Sequence, residues 1–324
     1  MQLPYEWIGW LAVWIFVLCS TYLVAKGLWT TWLADLLGFS VRWNPSADSW
    51  AIITGATDGI GLEFARQLAK KGYNLLLISR SSEKLQKVKE DLTTSLKPSR
   101  EIRVLKIDFS QRDVYGAIEK EVEKLPDISV LVNNVGVSYC TPEYFGDLHR
   151  TNKDPNFVDS MINVNIVSCT KMIQLVIPKM EKQRRGIIIN LSSLSAAYPT
   201  PLLSLYGATK IYVDFLSRGL QAEYAGKGII VQSLLPSYVA TNMSKIRKSS
   251  LLVPTPSAYV KGALRTVGVE QRTYGYWTHK LQGFVQDRII AATFGPEAMS
   301  KLAFSSLKGI RAAYYRKYMD KKQE

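Results

Sequence analysis

Cysteine and histidine are scarce in this chain of 324 residues. The three cysteines, Cys19, Cys140 and Cys169, have spacings that fit neither a disulfide framework nor a zinc site. A reducing compartment is the simpler expectation. The two histidines, His149 and His279, stand far apart and in no ligand or nucleophile motif. A histidine-based triad or metal site is therefore not expected. No long Arg/Lys run with interleaved aromatics appears, which places nucleic acid last among partners. Internal repeats and low-complexity linkers are absent as well, so one main domain is expected.

What is present is cationic: the formal net charge is +14. Such an excess suits an anionic membrane surface or an anionic substrate, and equally a plain solvated surface. Residues Trp7 to Ala25 form 19 positions without a charge, enough for a helix to cross a hydrocarbon core. Trp7, Trp10, Tyr22 and Trp29 sit near its ends, as interfacial anchors do. A cleaved signal peptide fits poorly, because Glu6 stands where a basic residue belongs and no small-x-small site follows. A buried core helix is the other alternative. Lys26 and the basic remainder follow the run, so the positive-inside bias puts the main domain in the cytosol. A second apolar stretch, Leu28 to Val41, is broken by Asp35 and is expected to dock on the membrane or on the domain.

From Ser49 onward, short apolar runs alternate with helical stretches. The runs are Trp50–Thr54, Tyr73–Ser79, Ile102–Ile107, Ile128–Asn133, Gly186–Leu191 and Ile229–Leu235. The helical stretches include Gly61–Lys71, Glu83–Leu96, Asp113–Lys124, Phe157–Glu181 and Ser204–Ala225. Continuous apolar strands separated by helices imply an α/β fold, a doubly wound parallel sheet covered on both faces. The expected division is 1–45 as membrane anchor and linker, 46–285 as the dinucleotide-binding domain, and 286–324 as a basic amphipathic tail. The tail, from about Leu281 to Tyr318, suits a membrane surface and the domain's own surface equally. Lys321 and Lys322, near the end, resemble a dilysine signal for retrieval to the endoplasmic reticulum.

The first strand runs into Gly55-Ala56-Thr57-Asp58-Gly59-Ile60-Gly61 and then a helix. Glycine there permits a sharp turn and close approach of a pyrophosphate to free helix N–H groups. Arg80 ends the second strand, where an arginine accommodates a 2′-phosphate; this favours NADP(H). Asp108 ends the third strand, placed to accept from the adenine amine. Asn134 and Gly136 end the fourth, where the ligand crevice lies.

Tyr206 and Lys210 are four residues apart on a helix and so share a face. An ammonium beside a phenol favours the phenolate and brings the acid closer to working pH. Ser193 is placed to bond a substrate carbonyl and the phenol. Asn165 is expected to hold, through its amide, a water linking Lys210 to solvent. Each pair alone is common; their order behind the glycine loop is what points to catalysis.

Together, residues 54–61, Asp108, 133–136, Asn165, Ser193, Tyr206 and Lys210 resemble the short-chain dehydrogenase/reductase family over about Trp50 to Thr241. The resemblance implies a Rossmann fold, with Val239 and Thr241 holding the nicotinamide end. Ser237 departs from the glycine of the family's Pro-Gly segment. The membrane-anchored group of 17β-hydroxysteroid dehydrogenases types 3 and 12, with the very-long-chain 3-oxoacyl-CoA reductases, is similar over nearly the whole chain. Residues 252–259 and 275–279 also resemble an inactive branch in which the catalytic tyrosine is replaced; here Tyr206 is retained.

The expected activity is NADPH-dependent reduction of a hydrophobic ketone, an acyl-CoA or a steroid, in a site bounded by Ser237–Tyr259, Tyr139, Tyr198 and Leu202. The alternative is a catalytically silent scaffold of a lipid-metabolic complex. Beyond substrate and membrane lipid, a homodimer or a fatty-acid elongation complex is the expected assembly. Asn190 and Asn242 begin Asn-x-Ser sequons, read as chance matches on a cytosolic domain at the endoplasmic reticulum membrane.

Overall fold

The computed structural model describes residues 5–94 and 100–318. Helix α1, Tyr5–Leu28, spans 24 residues, about 36 Å at 1.5 Å per residue. Its apolar window is not buried against any part of the protein. A helix this long and apolar with no protein partner suggests membrane anchoring. The stretch after it folds back on the domain. Asp35 pairs with Arg265 at 3.2 Å, Lys280 donates to the Thr30 carbonyl at 3.0 Å, and Val41 N–H donates to the Val267 carbonyl at 3.1 Å.

Seven parallel strands follow: β1 (Ser49–Thr54), β2 (Asn74–Ser79), β3 (Ile102–Lys106), β4 (Asp127–Asn133), β5 (Gly186–Leu191), β6 (Ile229–Leu234) and β7 (Arg272–Thr273). Their order is β3-β2-β1-β4-β5-β6-β7. The principal helices between and after them are α2 (Gly59–Lys71), α3 (Ser82–Thr93), α4 (Tyr115–Glu123), α5 (Phe157–Gln183), α6 (Ser204–Tyr224), α7 (Pro256–Thr266), α8 (Trp277–Phe284) and α9 (Pro296–Tyr318). Alternate residues of each strand feed two cores. Ala51, Ile53, Leu75 and Leu77 pack with Phe64 and Leu68 of α2 and with Val260 of α7. Trp50, Ile52, Leu76 and Ile78 lie on the other face, in one core with Ile118, Met172 and Val213. Burial on both faces is why these strands read as continuous apolar runs.

The strand order reverses between β1 and β4. A crevice forms at such a switch point, outside the carboxyl ends of the strands. Strand β7 was not anticipated from the sequence. It is two residues long, and Arg272 reaches the buried Asp214 carboxylate at 3.1 Å. Asn190 of the first sequon is fully buried and bonds Asn133 and Ser217, so no glycan can sit there.

Candidate active site

The turn from β1 into α2 is built by close approach. Gly55 has φ +65° and Gly59 φ +53°, in the left-handed region that glycine alone enters without strain. A Cβ on Gly61 would lie 2.3 Å from both the Gly55 carbonyl oxygen and Asn134 Nδ2. Asn134 donates from Nδ2 to the Thr54 and Gly55 carbonyls at 3.0 and 3.2 Å, locking β4 to the loop. Asp58 caps α2, accepting from Gly59 N–H at 2.8 Å, and also accepts from Asn242 at 2.8 Å. Gly61 is thus a packing glycine, away from the cleft lining. Gly61→Ala is expected to cost about 1–3 kcal/mol through overpacking, read as a lowered urea midpoint. Dinucleotide affinity should fall about tenfold or more, because the loop that shifts is the one facing the cleft.

A cleft of about 310 Å³ opens here, lined by Gly55, Thr57, Asp58, Gly59, Ile60 and Arg80, and further on by Asp108, Asn134, Gly136, Tyr206, Lys210 and Thr241. Asp108 accepts from the N–H and hydroxyl of Ser110 at 3.0 and 2.9 Å, which orients its carboxylate. The left-handed glycines, the free first turn of α2 and an arginine at the far wall fit a phosphorylated dinucleotide. Val239 is buried and borders the neighbouring cavity instead.

That second cavity, about 580 Å³, is larger and mostly apolar. Tyr206 lines both spaces, Lys210 the first and Ser193 the second. The phenol therefore stands where the two cavities meet. Burial raises the Tyr206 pKa, and the neighbouring Ser193 hydroxyl pulls it back down. Lys210 Nζ lies 5.8 Å from the Tyr206 ring centre and donates to the Leu191 carbonyl at 2.9 Å. Burial lowers its pKa to about 8. The nearby Cys169 thiol, itself raised to about 12 by burial, stays protonated and offers it no compensating charge at neutral pH.

Asn165 bonds to protein more fully than its expected part requires. It lies in a π-helical turn of α5, Asn163–Val167. Its Oδ1 accepts from Val137 N–H at 2.8 Å, and its Nδ2 donates to the Val137 carbonyl at 2.9 Å and to Thr209 at 3.0 Å. Both amide protons are spent on protein, so the side chain braces the loop after β4. Leu202 departs from its expected part: it is buried, holds φ +67° and turns its carbonyl to Glu143 N–H at 2.9 Å. The cavity wall beside it is Leu203. Tyr139 and Tyr198 do line the cavity, as does the start of the 237–259 segment up to Lys245.

Four contributors, His279, Glu143, Arg311 and Tyr315, escaped the sequence reading. His279 accepts from Ser237 N–H through Nδ1 at 3.3 Å and braces the turn that departs from glycine. Ser237 needs no left-handed backbone there, so the serine is tolerated. Glu143, buried, accepts from Arg311 and from the Tyr315 hydroxyl, each at 2.5 Å. This clamp lays α9 along the cavity, where Met299, Leu307, Ile310 and Tyr314 form one wall. No local motif announces Glu143 or Arg311, because they are 168 residues apart.

A parallel sheet with this reversal, a glycine-cradled cleft and a Ser–Tyr–Lys set at its edge defines an oxidoreductase of the dinucleotide-binding class. The pattern described as short chain dehydrogenase matches residues 49–251, and the chain belongs to that family. It is 47% identical over 281 residues to the very-long-chain 3-oxoacyl-CoA reductase-A of Danio rerio, covering 86% of this chain and 84% of that protein. It is 43% identical over 319 residues to the very-long-chain 3-oxoacyl-CoA reductase of Anas platyrhynchos, covering 95% and 97%. A solved short-chain dehydrogenase from Sphingobium yanoikuyae in complex with NADPH superimposes with a TM-score of 0.60 at 27% identity, covering 67% of this chain and 83% of that one.

Proposed function

We propose that the protein reduces very-long-chain 3-oxoacyl-CoA with NADPH, in fatty-acid elongation. The observation that carries this is Tyr206, placed between a dinucleotide cleft and a larger apolar cavity, in a chain whose relatives are named for that reaction. Gly55, Thr57, Asp58, Gly59 and Ile60 would hold the pyrophosphate region, Arg80 a 2′-phosphate, Asp108 the adenine, and Thr241 with Val239 the nicotinamide end. The bound cofactor supplies hydride to the 3-oxo carbon.

The protein's own share is orientation and proton supply. The Ser193 hydroxyl donates to the carbonyl oxygen and holds it beside the phenol. Tyr206 gives its proton to that oxygen as negative charge develops there. Lys210 favours the phenolate left behind. Asn165 keeps the loop around Val137 and Gly136 in place, since a Cβ on Gly136 would stand 3.3 Å from Lys210 Nζ and 3.5 Å from Asn165 Oδ1.

The anchor α1 supports a place at a membrane, which suits a very-long-chain acyl substrate. The positive-inside bias and the Lys321-Lys322 pair support the cytosolic face of the endoplasmic reticulum; that pair lies outside the described residues. Intact Ser193, Tyr206 and Lys210 speak against a silent scaffold. The test compares turnover of a long-chain 3-oxoacyl-CoA with that of a 17-ketosteroid, using NADPH and NADH. Faster turnover of the thioester with NADPH is expected, and Arg80→Glu should erase the preference for NADPH. Turnover of neither ketone would overturn the assignment.

A further inference from the structure

The apolar cavity has a single cationic side chain among its described lining residues, Lys245. It is not there by default. Lys245 has φ +58°, one of three non-glycine residues held in the left-handed region among those described. L side chains rarely adopt that conformation, and a long lysine gains nothing local from it. The preceding turn imposes it. Ser244 Oγ donates to the Val239 carbonyl at 2.6 Å, Ser244 N–H donates to Thr241 Oγ1 at 3.3 Å, and Lys245 N–H donates to the Asn242 carbonyl at 3.3 Å. The turn is therefore tied to Thr241, which borders the cofactor cleft, and to Val239, which borders the apolar cavity.

The ammonium end is fixed as well. Nζ donates to the Cys140 carbonyl at 2.7 Å and stands 6.0 Å from the ring centre of Tyr314 on α9. A second proton reaches Cys140 Sγ at 3.7 Å, which leaves the third to offer. No carboxylate lies within 4.0 Å of it among the described residues, nor of its exposed neighbours Arg247 and Lys248. An exposed, strained, positioned cation with no anion of its own is an open half of an ion pair.

We propose that Lys245 is a specificity-determining residue that receives a phosphate of the nucleotide moiety of the substrate, with Arg247 and Lys248 extending the site outward. This rests on the acyl-CoA reading above and deepens it. The cavity takes the acyl chain, Ser193 and Tyr206 take the 3-oxo group, and the charged handle stays at the rim against the 245–248 turn. A neutral ketone has nothing to offer this turn, so the residue discriminates by the handle and not by the reacting group.

The test uses the full chain in detergent, with a 3-oxoacyl-CoA and the same 3-oxoacyl group on N-acetylcysteamine, a thioester without phosphates. Lys245→Gln is expected to raise KM for the CoA thioester about tenfold with kcat within about twofold, as loss of one charge pair at a rim does. KM for the phosphate-free thioester should stay within about twofold, and Lys245→Arg should restore the CoA value. The tenfold gap should shrink as salt is raised. Equal KM changes for both thioesters, or no change for either, would overturn the proposal. Anionic lipid headgroups share the phosphate chemistry, so flotation with phosphatidylserine and with phosphatidylcholine vesicles forms a separate arm. Lost phosphatidylserine binding in Lys245→Gln with an unchanged KM would assign the cation to the membrane and also overturn it. If the wild-type protein turns over neither thioester, the acyl-CoA reading itself has failed.

Discussion

Tyr206→Phe should slow reduction of a 3-oxoacyl-CoA by about a thousandfold while leaving NADPH binding nearly intact. The change removes one hydroxyl and keeps the ring that separates the two cavities. What is lost is the proton donor, at a side chain that lines both spaces with Ser193 on one side and Lys210 on the other. Burial raises the phenol's pKa in the cofactor-free protein, so the proton is present at neutral pH and the task of the site is to release it. Single-turnover reduction measured beside NADPH fluorescence titration separates the two effects. Turnover in Tyr206→Phe at more than about a tenth of the wild-type rate would remove Tyr206 from its role.

Lys210→Met carries the second large effect, and it moves activity and stability differently. Activity should fall about a hundredfold or more, since no other described cation faces the phenol as closely in the cofactor cleft. Stability has a pH signature. The folded pKa, about 8, lies below the ordinary 10.5. Below pH 8 the folded protein therefore bears the cost of a buried ammonium. Between pH 8 and 10.5 the folded state sheds that proton while the unfolded chain still binds it, and the cost fades. Wild-type stability should thus rise relative to Lys210→Met by roughly 2 kcal/mol between pH 7 and pH 10. Urea midpoints of the cofactor-free proteins, taken across that range, measure it. Parallel pH profiles for the two proteins would show that Lys210 is not desolvated as its position implies. A buried cation that costs stability in the resting protein and serves the reaction is a familiar form of trade between the two.

The charge-free run near the N-terminus and the apolar core strands needed no tertiary information to be legible. Each rests on a local pattern: an unbroken apolar run, or a strand buried on both faces and flanked by amphipathic helices. Strand β7 was hidden because two residues, Arg272 and Thr273, form no pattern at all; it exists because β6 offers an edge and Asp214 a buried partner. The bonding partners of Asn165 were hidden for a related reason. An amide's bonding partners are set by the loop opposite, here Val137, and sequence spacing does not say which donors and acceptors are already taken.

The C-terminal stretch makes the same point at larger scale. Its alternation of apolar and basic residues suited a membrane surface and a protein surface alike, because amphipathicity specifies that one face is buried and not what buries it. The buried Glu143 carboxylate holds Arg311 and Tyr315, which lays one face of α9 along the apolar cavity as a wall.

Sequence by itself determined the reaction class, because hydride and proton transfer need particular groups at short, fixed intervals: glycines between a strand and a helix, and a tyrosine one helical turn before a lysine. It also determined the apolar helix, since length and absence of charge are local properties. Only the tertiary structure decided where the apolar cavity lies and what lines it. Cavity walls are assembled from residues far apart in the chain. Lys245, the one lysine lining the apolar cavity among the described residues, is singled out by a strained turn and by a carbonyl 105 residues away, a relation that no local pattern encodes.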